Sequence, residues 1–207
     1  MSDGTLVHIV YSKNVVEFVT VANEFCNRME IKGNKTITTL LGDFQKILPL
    51  LYLKTALLPK VDKVLEEELE KFVSELDYNV LMQKWLKLLN EHDSFQEVFT
   101  AGMEFSEEAI ENSISENLLD IYQDLKDFIT SYSLGNEEVM NDSLSECIFN
   151  FEQYWGQKLV NVLRAVHILL VSGEDLEEKG NEDTAGQNIK DESNWVDGFF
   201  NQSRDEF

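Results

Sequence analysis

Apolar residues that recur every three or four positions are the feature that most constrains how this chain can fold. In the first such segment one stripe is formed by Val15, Phe18, Val19, Ala22, Phe25, Cys26 and Met29. The 207 residues contain only two prolines, Pro49 and Pro59. Because proline breaks helices and is common in the turns of β-rich folds, the pattern favours long helices over a many-turned β fold.

The same spacing, read with start and stop signals, predicts five main helices. They cover residues 14–32, 36–58, 74–91, 106–134 and 136–173. Ser106 is the predicted first residue of the fourth helix, since two glutamates follow it and favour a helix N-terminus. Residues 60–73 fit either a helix or an exposed connector, and residues 92–105 are predicted to form a loop.

The predicted helices pack into an all-α up-down helical bundle over residues 1–173. Residues 174–207 differ, because they are polar, acidic and without apolar periodicity up to Asn194. We predict a flexible acidic tail that ends in a short aromatic segment. Trp195, Phe199, Phe200 and Phe207 are candidate partner-docking residues, and folding back or disorder is the alternative.

The net charge of −22 is uneven along the chain. Residues 1–64 carry +2 and residues 65–207 carry −24. A surface of that sign repels phosphate, so nucleic acid is an unlikely partner, whereas a protein with a basic surface fits. The longest apolar runs, residues 47–53 and 165–171, are far below the ~18 residues that a membrane span needs.

The two cysteines, Cys26 and Cys147, lie far apart within apolar helical patterns. Neither belongs to a CxxC motif, so we expect buried, reduced thiols. Reduced thiols and the lack of a secretion signal indicate a cytoplasmic protein.

One candidate metal site consists of Asp120, Asp124 and Asp127, which are spaced to share one face of the fourth helix. Like charges at this spacing destabilise a helix unless something compensates them, and a bound Mg²⁺ or Mn²⁺ is one such compensation. The alternative is a solvated acidic face without a metal, and therefore no cofactor.

A second candidate site lies on the fifth helix, where Asn161, Arg164 and His167 follow one another at helical spacing. An arginine in an apolar helix needs an acceptor, because an unpaired buried charge costs several kcal/mol. These three residues therefore predict either a structural ion pair or a polar pocket in the core of the bundle.

Three sequence runs in the fourth and fifth helices resemble a known family. They are residues 120–128 (DIYQDLKDF), 151–156 (FEQYWG) and 163–167 (LRAVH), and residues 11–17 and 48–51 are similar as well. The chain resembles, over roughly residues 11–170, the bacterial family called domain of unknown function 5063. The resemblance implies a small cytosolic helical domain and brings no activity or catalytic residue with it.

Motifs of nucleophilic, Gly-rich phosphate-binding or di-iron enzymes are absent from the sequence, and no catalytic residue is assigned. We therefore expect a non-enzymatic interaction or accessory protein with an unknown protein partner. The alternative is a metal-dependent hydrolase that acts on an anionic small molecule or nucleotide. In that case Asp120, Asp124 and Asp127 would bind the metal and Arg164 the substrate.

Overall fold

The computed structural model describes residues 9–31, 33, 35–96, 111–173 and 176. Its helices are α1 (Lys13–Met29), α2 (Ile37–Ala56), α3 (Glu75–Leu89), α4 (Ile114–Ser133), α5 (Glu137–Asn150) and α6 (Gly156–Val171). The π-helical turn Phe151–Trp155 joins α5 to α6 in one continuous helix. The described part thus contains five main helices, which confirms the all-α prediction.

A small antiparallel sheet lies between α3 and α4. A 3₁₀ turn, Asn90–His92, leads into β1 (Ser94–Gln96), which pairs with β2 (Glu111–Ser113). Among the described helices, none is long and apolar enough to cross a membrane.

The core lies inside a ring of four helices, in which α1, α2, α6 and α4 each pack against the next. Helices α3 and α5 pack on the outside of this ring against α4. Edge-to-face ring contacts connect Phe25 to Phe44 and Phe44 to Trp85, with centroid distances of 5.5 and 5.4 Å. The Trp85 indole N–H also donates to the Met29 carbonyl at 3.0 Å, so α3 is joined to the end of α1.

Both cysteines are buried and unpaired, as predicted. Burial raises the pKa of Cys26 and of Cys147 well above the usual value of a thiol. Both side chains therefore stay protonated and act as small apolar groups of the core.

The predicted start of the fourth helix is wrong. Residues 111–113 form a strand, and Ser113 caps α4 by accepting the Glu116 N–H. Asp93 fixes this start, because its carboxylate accepts the Ser115 N–H at 2.8 Å and the Ser113 hydroxyl at 2.6 Å. Ser106 itself lies outside the described residues.

Residues 57–74, here called the connector, run from α2 to α3 without helix or strand. This resolves the open alternative for residues 60–73 in favour of a connector. The connector is only partly exposed, because Leu65, Leu69, Phe72 and Val73 are half-buried. It ends at Ser74, which forms a capping box with Asp77 at the start of α3.

The predicted tail, residues 174–207, lies outside the described residues except for Leu176, which is buried. The docking candidates Trp195, Phe199, Phe200 and Phe207 fall in this part and stay predictions. The domain boundary after residue 173 also stays a prediction.

Candidate functional site

Two aspartates bind the backbone of the connector. Asp142 of α5 is buried and accepts the N–H groups of Val64 and Leu65, each at 2.7 Å, one on each carboxylate oxygen. Asp127 of α4 accepts the N–H groups of Phe72 and Val73 at 2.7 and 3.1 Å. Hydrogen bonds to a carboxylate are roughly twice as strong as neutral ones, so each aspartate fixes one end of the connector.

Side chains of α5 bind the connector between and beside these two points. The Asn141 side-chain N–H donates to the Asp62 carbonyl at 2.8 Å, and the Ser145 hydroxyl donates to the Val61 carbonyl at 3.1 Å. Lys71 forms an ion pair with Glu146 at 2.6 Å. The connector therefore follows a defined path over α5 although it has no regular backbone pairing of its own.

Two grooves flank Lys71 on this surface. The larger, here called the connector groove, has a volume of about 580 Å³ and is lined by Lys63, Glu68, Leu69, Lys71, Glu146 and Phe149, among others. The smaller, here called the aspartate groove, has about 350 Å³ and is lined by Lys71, Asp120, Asp124, Asp127, Asn150 and Tyr154, among others. Both are open to solvent and mix charged with aromatic or apolar side chains.

The three aspartates predicted as metal ligands lie together along the aspartate groove, but each has its own protein partners. Asp120 accepts the hydroxyls of Tyr78 and Tyr154 at 2.9 and 2.7 Å and pairs with Lys158. Asp127 binds the connector, as described above. Asp124 accepts the Asn150 side-chain N–H at 2.7 Å.

The carboxyl of Asp124 has a raised pKa. Burial raises the pKa of its carboxyl from 3.8 to about 6, and the nearby charges of Asp127 and Glu146 add to the rise. The hydrogen bond from Asn150 and the charge of Lys71 act in the opposite direction. Within the described ranges, no three His, Cys, Asp or Glu side chains are arranged to hold a metal ion. The metal site stays a prediction.

The candidate pocket residues of the fifth helix lie on the surface side of α6 instead of in the core. Arg164 and His167 are exposed, and Asn161 is half-buried. Leu159, Val162 and Val166 are the buried stripe of α6, so the opposite side, which carries Arg164, is left to solvent. Arg164 forms no ion pair with the described residues, and His167 Nδ1 lies 3.3 Å from the Gln45 amide nitrogen.

Sequence reasoning did not single out Asp142, which accepts two backbone N–H groups of the connector. One signal was available, since α5 carries buried polar residues where its stripe should be apolar. They are Asn141, Asp142 and Ser143, next to the apolar Met140 and Leu144. Buried polar groups require partners, so such a run indicates that an irregular backbone segment packs there.

Comparison with known proteins gives a family and a solved structure. The chain matches the family described as Domain of unknown function (DUF5063) over residues 9–172. It is 44% identical to protein BF1032 from Bacteroides fragilis, whose crystal structure superposes with a TM-score of 0.71. That match covers 80% of this chain and 98% of the other. No match was found among curated proteins. The chain therefore belongs to the DUF5063 family.

Proposed function

We propose that this domain is a non-enzymatic docking protein that binds a basic segment of a protein partner in the connector groove. The fixed connector is the observation that carries the proposal. Asp127 and Asp142 hold this wall of the groove before any partner arrives. A preformed wall lowers the conformational entropy that is lost on binding, which is a general source of affinity.

The charge of the groove favours a basic partner. The connector carries four exposed glutamates, of which Glu68 lines the groove, namely Glu66, Glu67, Glu68 and Glu70. The nearby ammonium group of Lys71 is already paired with Glu146. Lysine or arginine side chains of a partner would therefore meet more exposed carboxylates than cations, since Lys63 is the remaining lysine of the lining, and this accelerates association and disfavours acidic partners.

The groove also offers an apolar contact. Phe149 is 61% exposed in the wall formed by α5, and Leu69 lies half-buried across from it in the connector. An aromatic ring left in solvent inside a concave surface is a common anchor point of protein interfaces. We therefore propose a segment that combines Lys or Arg with at least one large apolar side chain.

The test is fluorescence anisotropy of the full chain with a labelled peptide that carries four lysines or arginines around one leucine. We expect saturable binding that weakens as the NaCl concentration rises from 50 to 300 mM. Glu68→Lys and Phe149→Ala should each weaken binding several-fold. A peptide with glutamates in place of the basic residues should not bind.

Glu91→Lys is the matched control, because it makes the same charge reversal at an exposed position. Glu91 follows α3, which extends about 22 Å from the end of the connector. Equal loss of affinity in Glu68→Lys and Glu91→Lys would mean that the peptide responds to net charge alone, and the proposal would be wrong.

A further inference from the structure

Two stretches of this acidic chain carry no carboxylates of their own. Residues 44–61 and 153–173 contain neither Asp nor Glu, although the chain has 39 such residues. These stretches contain the whole C-terminal half of α2 and all of α6, which pack side by side in the bundle. The outer side of this pair is here called the acid-free face.

Large apolar side chains are exposed on the acid-free face. They are Tyr52 and Leu53 of α2 and Val160, Ile168 and Val171 of α6, which are between 42% and 64% exposed. Positions 160, 164, 168 and 171 form one stripe along α6. Single exposed apolar residues are ordinary, but several on two adjacent helices indicate an interaction surface.

The two stretches contain five lysines and arginines, of which Lys46 and Lys60 are exposed and the other three leave the apolar side chains of the face uncovered. Lys54 pairs with Glu17 at 2.6 Å, and Lys158 pairs with Asp120, so both point to other helices. Arg164 lies within the stripe, and its long aliphatic stem can cover apolar surface while its guanidinium reaches outward.

We propose that the acid-free face is the contact between two copies of this chain. Two chains with a net charge of −22 repel each other, and the repulsion is smallest where neither contributes a carboxylate. The contact itself contains no carboxylate, so the Arg164 guanidinium of each copy reaches toward solvent at its edge. Contact through this face removes the exposed stripe of α6 from water, which is the driving force.

The dimensions of the face predict a weak dimer. The 16 residues of α6 span about 24 Å, and two adjacent helices are about 20 Å wide. The footprint is therefore roughly 500 Å² per copy, or about 1,000 Å² in total, which is in the range of weak and transient interfaces. We expect a reversible monomer–dimer equilibrium and not a permanent dimer.

The test is sedimentation velocity of the full chain from about 5 to 500 µM, at 150 and 500 mM NaCl. We expect the dimer fraction to grow with concentration and to be larger at high salt, because salt screens the repulsion between two acidic copies. This salt effect is opposite to that expected for the basic peptide in the connector groove, so the two proposals can fail independently.

Ile168→Asp should make the chain monomeric over the whole range, because it brings a carboxylate from each copy into the contact. The control is Leu76→Asp, at a position 71% exposed on α3, which should leave the equilibrium unchanged. Circular dichroism of both variants checks that they fold. A wild-type chain that stays monomeric at 500 µM in both salts, or a dimer that survives Ile168→Asp, would overturn the proposal.

Discussion

Replacing Asp124 by Asn should stabilise this protein at neutral pH. In the folded state the pKa of this carboxyl is raised from 3.8 to about 6, mainly by burial. Folding therefore favours its protonated form. The protonated carboxyl makes its full contribution to folding stability below pH 3.8, and this contribution is lost as the pH rises through 6. At pH 7.5 the ionised carboxylate is a net cost to the folded state.

The size of the effect follows from the same shift. One pKa unit corresponds to 1.36 kcal/mol, so a shift of about two units amounts to about 3 kcal/mol. Solvent reaches part of the side chain, and we expect a gain of roughly 2 kcal/mol in the free energy of unfolding. Asn keeps the shape of the protonated acid, and its oxygen can still accept the Asn150 N–H that Asp124 accepts now.

The assay is urea unfolding of wild type and variant at pH 7.5 and at pH 5.0. The stability gain of Asp124→Asn should shrink to about half at pH 5.0, where the folded carboxyl is already mostly protonated. Lower pH is avoided because the net charge vanishes near the isoelectric point of 4.3. Asp127→Asn is the contrasting variant and should destabilise, because this carboxylate binds two backbone N–H groups.

A stability gain that is absent or reversed at pH 7.5, or that grows at pH 5.0, would refute this reasoning. It would mean that the Asp124 carboxylate is stabilised in the folded protein by its hydrogen bond with Asn150 and the charge of Lys71 more than burial destabilises it.

Two further predictions concern the connector and metal binding. Asp142→Ala should lower the free energy of unfolding by about 2 to 4 kcal/mol, because two backbone N–H groups lose their acceptor. Limited proteolysis of that variant should cut the connector faster than in wild type. Thermal melts in 5 mM MgCl₂ or MnCl₂ should show no increase in Tm, since Asp120 and Asp127 already have protein partners. An increase of several degrees that Asp124→Asn removes would instead support the metal-dependent hydrolase.

The sequence by itself determined most of the helices, because their signals are local. A stripe with a period of three to four residues and a cap a few residues away are enough to specify α1, α2 and α3 to within a few positions. The capping box of Ser74 and Asp77 shows this most clearly, since both of its hydrogen bonds close within one helical turn. The prediction that both cysteines are buried followed from the same apolar stripes.

Contacts between residues distant in the chain decided the rest. The start of α4 depends on Asp93, which is about 20 positions away, and the path of the connector depends on carboxylates 54 to 78 positions away. The side of α6 that faces solvent depends on where α2 and α4 pack, so Arg164 lies exposed although most of its helix is apolar. Periodicity shows that a helix has an apolar side. Only the packed structure shows which elements and polar groups surround that helix.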